Sequence, residues 1–254
     1  MNLPLVSVIT VCYNSSSTIA QTISSVLAQD YPNIEYIIVD GDSNDGTVDI
    51  IKSYENQIDK FISEKDDGIY EAMNKGIEMA SGEIIGILNS DDLYYENTTI
   101  SNVVHEMNEK HVDIIYGDLV YFRTKDESKI VRYYEGRDFS RTLVSKGWVP
   151  PHPTFFVKKE VYDKYGKFDT QFKLSADFDL IVRFLSFHGV SYYYLPSVLV
   201  KMRLGGESTN SIRNIISMNI DNMKSCRKNN IKTNIIRFHT KYIYKTWEYI
   251  RNSI

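Results

Sequence analysis

Asp91 and Asp92 follow the apolar run Glu83 to Leu88 (EIIGIL), separated from it only by Asn89 and Ser90. Two adjacent carboxylates at the end of a buried strand repel each other and lose hydration unless a cation holds them. Oxygen ligands of this kind suit Mg²⁺ or Mn²⁺. A metal there would bridge a diphosphate and neutralise a departing one. The plainer alternative is a turn in which Asp92 accepts backbone amides. Asp177 and Asp179 open the apolar stretch Asp177 to Phe187. Residues two apart on a helix face different sides, so only one of this pair can enter a cleft, the other capping the helix or facing solvent. Asp177 lies nearer the helix N-terminus, where the dipole favours negative charge, and is available as a base for an attacking hydroxyl. Read without that context it is a plain N-cap. Asp40 to Thr47 (DGDSNDGT) resembles a calcium loop, but the downstream bidentate glutamate is missing. It reads as a turn with a helix cap, or as a polar pocket for a nucleoside. His152, set between Pro151 and Pro153, would order a loop or touch a phosphate, although a surface role is the commoner one. Gly205 to Ser208 (GGES) would wrap a phosphate weakly. Tyr192 to Tyr194 fit sheet packing better than a sugar platform.

These residues need elements to hold them. Leu5 to Tyr13, Glu35 to Asp40 and Glu83 to Leu88 read as buried strands, with short strands at Lys60 to Ser63 and Asp113 to Tyr116. Helices are expected over Thr18 to Gln29, Thr47 to Tyr54, Tyr70 to Ala80 and Asn97 to Lys110. Strands alternating with helices imply a parallel sheet of right-handed crossovers, an α/β fold that binds ligands beyond the carboxyl ends of its strands. Tyr13-Asn14, Asp40 to Ser43 and Asn89 to Asp92 all sit at such ends. In the second half, Leu119 to Arg123 with Ile130 to Tyr134, Thr154 to Val157, Ser191 to Leu195 and Leu199 to Arg203 read as strands. Residues after Asn210 read as helical.

The chain has 254 residues, 43% hydrophobic and 24% charged, with a net charge of −4. It reads as an ordinary soluble globular protein, and the charge argues against general nucleic-acid binding. From Lys224 onward, however, eight cations stand against the single acid Glu248. A basic amphipathic tail on an acidic body suggests an anionic surface as partner. A helix packed on the domain with a solvated basic face accounts for the tail equally well. Cys12 and Cys226 have no disulfide or zinc spacing, which fits a reducing cytoplasm. Neither a signal peptide nor a spanning segment is visible, so membrane contact would be peripheral, at the inner face of the plasma membrane.

Taken in order, Val6 to Asn14 (VSVITVCYN), Ile38 to Thr47, Ser81 to Asp92 (SGEIIGILNSDD) and Ser175 to Leu180 (SADFDL) resemble glycosyltransferase family 2, inverting enzymes with the GT-A fold. Lys65 to Ile77 (KDDGIYEAMNKGI) resembles the variant of that family common in bacterial surface-polysaccharide synthesis, and His152 to Asp169 and Leu204 to Ser208 match the family's later segments. The resemblance covers about residues 5 to 210. It implies a GT-A domain over 1–210, with a nucleotide-sugar half to about residue 118 and an acceptor half from 119. Residues 211–254 would be an appended helical tail. It also implies that Thr10, Tyr13 and Asp40 line the nucleotide pocket, with Asp67 and Lys75 near uridine or the diphosphate. Asp91, with Asp92 beside it, would bind Mn²⁺ or Mg²⁺, and Asp177 would be the catalytic base. The donor implied is a nucleotide sugar, by default a UDP-hexose. The acceptor implied is a saccharide, lipid-diphosphate-linked, of an O-antigen or capsule repeat. Asn89 stands where the family's DxD element begins with an acid, Gly41 where a second Asp is frequent, and Met73 where arginine is frequent. Two other classes fit less well. A sugar nucleotidyltransferase needs a glycine-rich first turn, and Tyr13 to Ser17 has no glycine. A non-catalytic sugar-nucleotide binder is favoured by Asn89 but opposed by Asp91 and Asp177.

Overall fold

The computed structural model describes residues 3–123, 126–204 and 212–240. The strands are β1 (Val6–Cys12), β2 (Ile34–Asp40), β3 (Lys60–Ser63), β4 (Ile84–Ile87), β5 (Leu93–Tyr94), β6 (Ile114–Arg123), β7 (Asp126–Tyr134), β8 (Phe156–Lys158) and β9 (Tyr192–Arg203). The helices are α1 (Ile19–Leu27), α2 (Thr47–Lys52), α3 (Ile69–Met79), α4 (Thr99–Lys110), α5 (Arg141–Ser145), α6 (Lys159–Tyr165), α7 (Ala176–Val182), α8 (Ile212–Lys228) and α9 (Ile235–His239). All nine strands form one sheet in the order β3-β2-β1-β4-β8-β6-β9-β5, with β7 paired to β6.

Both faces of this sheet are covered, which is why β1 and β2 are buried at nearly every position and largely apolar on both faces rather than on alternate ones. Along β1 and β2, Val6, Val8, Tyr36 and Ile38 pack on one face with Ile19, Ile23 and Val26 of α1 and Val103 and Met107 of α4. Ile9, Val11, Ile37 and Val39 alternate to the other face, against Ala72, Met73 and Ile77 of α3 and Leu180 and Ile181 of α7. The result is an α/β fold in which a mostly parallel sheet is sandwiched between helices.

The expected parallel arrangement holds for β3-β2-β1-β4 and for β6 with β9. Between these two blocks, β8 runs antiparallel to both β4 and β6, and β5 runs antiparallel to β9. Two expected pairs of strands also merge. Residues 114–123 form one strand, and residues 192–203 another that carries Pro196 within it. The cost of accommodating the proline appears as register shifts between Tyr116 and Asp118 and between Asp118 and Leu119 of the partner. The helix expected over Asp177 to Phe187 is α-helical to Val182 and then winds into a π turn over Arg183–Phe187.

At the end of the sheet opposite the carboxyl-terminal loops, Glu35 is a buried pin. It accepts Ser7 Oγ at 2.5 Å, the Ser81 backbone N–H at 2.8 Å and the Ser81 hydroxyl, and it pairs with Lys60 Nζ at 2.6 Å. Burial alone would raise this carboxyl. The Lys60 ammonium and the Ser7 and Ser81 donors outweigh it and bring the group down to about 2. A group depressed on folding contributes stability above its unfolded value, here 4.5, and loses it as pH falls toward 2. Glu35→Gln should therefore cost about 1–3 kcal/mol at pH 7. In urea unfolding the difference from the parent should close between pH 4.5 and 2. A difference unchanged across that window would contradict this account.

Candidate active site

β1, β2 and β4 deliver their polar loops to one edge, and the loops are stitched to one another. Asn14, in the left-handed region at φ 48°, donates its backbone N–H to Ser43 Oγ at 2.8 Å and accepts that of Asn44 at 3.1 Å. Ser15 N–H reaches Thr47 Oγ1 at 2.7 Å, and Ser16 N–H reaches Asp45 Oδ2 at 3.0 Å. Asp45 also accepts the Thr47 hydroxyl, and that bond is the leading reason its carboxyl lies well below the usual range. The stretch Asp40 to Thr47 thus does what a turn with a helix cap does.

Asp40 is fully buried. Its carboxylate takes the Ser43 backbone N–H at 2.9 Å, Ser43 Oγ at 2.5 Å and Ser63 Oγ at 2.7 Å, with Cys12 Sγ at 3.4 Å. Thr10 is equally buried, its hydroxyl 3.1 Å from the Tyr36 hydroxyl. Among the residues the resemblance assigns to the nucleotide, these two are wholly buried and do not reach the surface. Tyr13, by contrast, is 64% exposed. Gly41 lies under its ring. A Cβ on Gly41 would come within 2.8 Å of Asp66 Oδ2 and 3.5 Å of Tyr13 Cδ2, so an aspartate there would drive the Asp66 carboxylate out.

The Glu64–Gly68 loop lies beside this edge, bringing Asp66 against Gly41. Lys75 holds it, with Nζ 3.2 Å from the Lys65 carbonyl, 2.9 Å from Glu64 and 3.9 Å from Glu71. Asp67 is exposed, its backbone N–H donated to Glu71 Oε2 at 2.6 Å. Gly68, at φ 127°, makes the turn into α3 in a conformation that side-chain residues rarely adopt.

β4 ends in the turn Asn89 to Asp92. Ser90 Oγ lies 2.8 Å from Ser15 Oγ, and the Asp92 carbonyl accepts the Thr22 hydroxyl at 2.9 Å, so the turn is fixed to α1. Asp92 is fully buried. Oδ1 takes the Arg203 backbone N–H at 3.4 Å, while Oδ2 and Asn89 Oδ1 are buried acceptors with no hydrogen-bond partner among the described residues. Burial first, and then the charge of Asp91, push the Asp92 carboxyl well above its usual range. Burial raises Asp91 as well, against the attraction of Arg203 and His152. Orphaned hard oxygens beside two destabilised carboxylates fit a divalent cation. Among the described residues, no group of three or more His, Cys, Asp or Glu is placed to hold a metal. The protein donors would thus be Asp91 with Asn89 or Asp92, and oxygens of a bound diphosphate and water would complete the shell.

Asp177 stands in the first turn of α7 and faces a cleft lined by Met73, Ile87, His152, Phe168 and Leu180. Its Oδ1 accepts the Tyr70 hydroxyl at 2.9 Å, and its Oδ2 lies 3.2 Å from His152 Nδ1. Asp179 points the other way, as the spacing predicts, but it neither caps nor meets solvent. It is fully buried and takes Ser225 Oγ at 2.7 Å and Asn229 Nδ2 at 3.1 Å, fastening α8 to α7. The sequence reading missed Tyr70 and Arg203. Tyr70 sits within a quoted motif, directly after Gly68-Ile69, but its partner is 107 residues away.

A family model, Glycosyl transferase family 2, matches residues 7–166. The chain belongs to that family. An uncharacterized glycosyltransferase of Rickettsia typhi is 32% identical over 222 residues, covering 83% of this chain and 68% of the relative. A PGL/p-HBAD biosynthesis glycosyltransferase of Mycobacterium bovis is 26% identical over 216 residues, covering 84% and 82%. Among solved structures, S. aureus TarS 1–349 in complex with UDP-GlcNAc superposes with a TM-score of 0.64 at 17% identity, covering 85% of this chain and 65% of that one. The mannosyltransferase PcManGT of Pyrobaculum calidifontis, in complex with GDP-Man and Mn2+, gives 0.63 at 21% identity, covering 88% and 65%. The longer TarS chain is spanned to 39%. These likenesses establish the GT-A type of fold, and the protein is a family 2 glycosyltransferase. The motifs from Ser7 to Asp92 lie inside the matched span, and His152 to Asp169 runs just past its end. Asp177 and the tail lie beyond it.

Proposed function

We propose that this family 2 glycosyltransferase moves a hexose from a UDP-linked donor to a saccharide acceptor with inversion, using Asp177 as the base and a divalent cation at Asp91. The observation that carries the reading is that the chain presents acids of two kinds, Asp177 facing a cleft from α7 and the adjacent pair Asp91 and Asp92 at the carboxyl end of β4. Asp177, 3.2 Å from the His152 imidazole, opens on a cleft, and burial raises both acids of the β4 turn. Asp177 would take the proton of the acceptor hydroxyl as that oxygen attacks the anomeric carbon. With one base and no protein nucleophile, the configuration inverts, and an α-linked donor gives a β-linked product. Mn²⁺ or Mg²⁺, held through Asp91 and Asn89 or Asp92, would supply charge neutralisation for the departing diphosphate. Tyr13 and the Glu64–Gly68 loop would flank the nucleoside. Gly205 to Ser208, which the sequence offers as a weak phosphate wrap, lie outside the described residues. Thermal stabilisation by a panel of nucleotide sugars, each with and without Mn²⁺, tests the reading. Metal-dependent stabilisation by a UDP-hexose supports it, and stabilisation by a different nucleotide alone overturns the donor assignment.

The acceptor in this reading is lipid-diphosphate-linked, as in O-antigen or capsule synthesis, and the tail bears on it. No helix among the described residues is long and apolar enough to cross a membrane. The inner side of α8 is spent on the domain through Ser225, Cys226 and Asn229. Its outer side exposes Arg213, Ile216, Ile220, Lys224 and Arg227 at spacings of one helical turn, and Ile235 and Ile236 at the start of α9 are 62% and 81% exposed. Apolar residues flanked by cations suit an anionic lipid surface. Residues 241–254, which complete the basic tail, lie outside the described residues. The protein should sediment with vesicles rich in phosphatidylglycerol, and Ile216→Glu with Ile220→Glu should abolish this. Sedimentation that survives the double substitution would place the contact elsewhere.

A further inference from the structure

Each oxygen of the Asp177 carboxylate has a neighbour: the Tyr70 hydroxyl donates to Oδ1 at 2.9 Å, and His152 Nδ1 lies 3.2 Å from Oδ2. Tyr70 comes from the first turn of α3, where its ring stacks on Phe168 with centroids 5.6 Å apart. Burial and the neighbouring Asp177 keep its phenol protonated far above the usual range, so it is always a donor to Oδ1. His152 approaches Oδ2 from the opposite direction. Its backbone has little freedom. Pro151 precedes it at φ −66°, Pro153 follows, and the buried Thr154 ties the turn down by bonding the carbonyls of Gly117 at 3.0 Å and Pro151 at 2.8 Å. A short turn with two prolines and an anchoring threonine is a stiff mount for one side chain.

We propose that His152 is a positioning residue: its Nδ1–H donates to Asp177 Oδ2 and, with Tyr70 on Oδ1, fixes the plane of the carboxylate toward the acceptor hydroxyl. A carboxylate on the first turn of a helix otherwise rotates about its terminal torsion, which is broad. A base that must meet a hydroxyl at hydrogen-bond distance gains from having that rotation removed before the acceptor arrives. One bond from each side leaves each oxygen a remaining lone pair for the acceptor proton. His152 thus acts through Asp177 and does not touch the reacting atoms. The inference rests on the reading of Asp177 as the base.

Two measurements test it, one of which needs no substrate. In the neutral protein, ¹⁵N-resolved imidazole spectra report which ring nitrogen carries the proton. His152, assigned by the loss of its signals in His152→Asn, should be the Nδ1–H tautomer and should revert toward Nε2–H in Asp177→Ala. An Nε2–H ring in the parent overturns the proposal. The second measurement is release of UDP from UDP-glucose and UDP-GlcNAc with Mn²⁺, water acting as acceptor, alongside binding of UDP with Mn²⁺. His152→Ala should lower kcat about 10- to 100-fold with UDP affinity unchanged, since losing a group that orients a functional side chain has effects of this size. His152→Asn, which retains an N–H near the Nδ1 position, should recover most of the loss. An unchanged kcat, or a parallel loss of UDP affinity, overturns the proposal, the latter because it would place His152 on the diphosphate. Full UDP release by Asp177→Asn would instead remove the base assignment, while the tautomer still reports whether His152 holds that carboxylate.

Discussion

Asp177→Asn is expected to lower transfer by ~10²–10⁴-fold, the range over which a positioned general base contributes, while donor affinity stays near that of the parent. The substitution is nearly isosteric. It keeps an oxygen to accept from Tyr70 at Oδ1 and changes the group facing His152 Nδ1. It removes the lone pair that would take the acceptor's proton. Because the nucleotide would sit at the β1, β2 and β4 edge and Asp177 enters from α7, the loss belongs in kcat. Donor binding followed by thermal shift, and turnover followed by UDP release, separate the two. Transfer that survives the substitution would show that another group is the base. Tyr70→Phe is a useful companion, since it deletes only the Oδ1 donor and should cost less than the loss of the base itself.

The parts of this site that are legible in the sequence are those fixed by contiguous residues. A buried strand followed at once by polar residues announces its carboxyl end, so β1, β2 and β4 and their loops lie where the apolar runs predict. The spacing of Asp177 and Asp179 likewise separates the two side chains correctly. It does not disclose that Asp179 is buried, because the covering residues Ser225 and Asn229 come from a helix more than forty residues on. Elements of two to five residues, such as β5 and α5, leave no periodic trace and exist only because neighbours hold them. The antiparallel insertion of β8 escapes for the same reason: three residues carry no signal of direction. His152 and Tyr70 became legible as partners of Asp177 only when three distant segments met.

Removing the charge of Asp91, as Asp91→Asn, should abolish metal-dependent stabilisation by the donor and lower kcat by ~10²–10³-fold, the scale of losing one preorganised group that stabilises developing charge. The reason lies in how little else the turn offers. Asn89 leaves the element one carboxylate short, and Asp92 is wholly buried and partly engaged by Arg203 N–H. If the cation depends on Asp91 for its main anionic ligand, its affinity without that ligand falls together with the donor's, since the diphosphate must complete the shell. The effect on the free protein should be opposite in sign. Two adjacent carboxylates, both raised by burial and Asp92 also by the charge of Asp91, are a strain on the fold when no cation is bound. Asp91→Asn should therefore raise the thermal midpoint of the metal-free protein while lowering that of the protein with donor and Mn²⁺. A variant that is destabilised in both states, or that keeps its Mn²⁺ response, would mean that the acids at this turn serve the fold and that a cation, if used, is held elsewhere. The crossing of the two stabilities distinguishes a site that stores charge for a ligand from a turn that merely caps a strand.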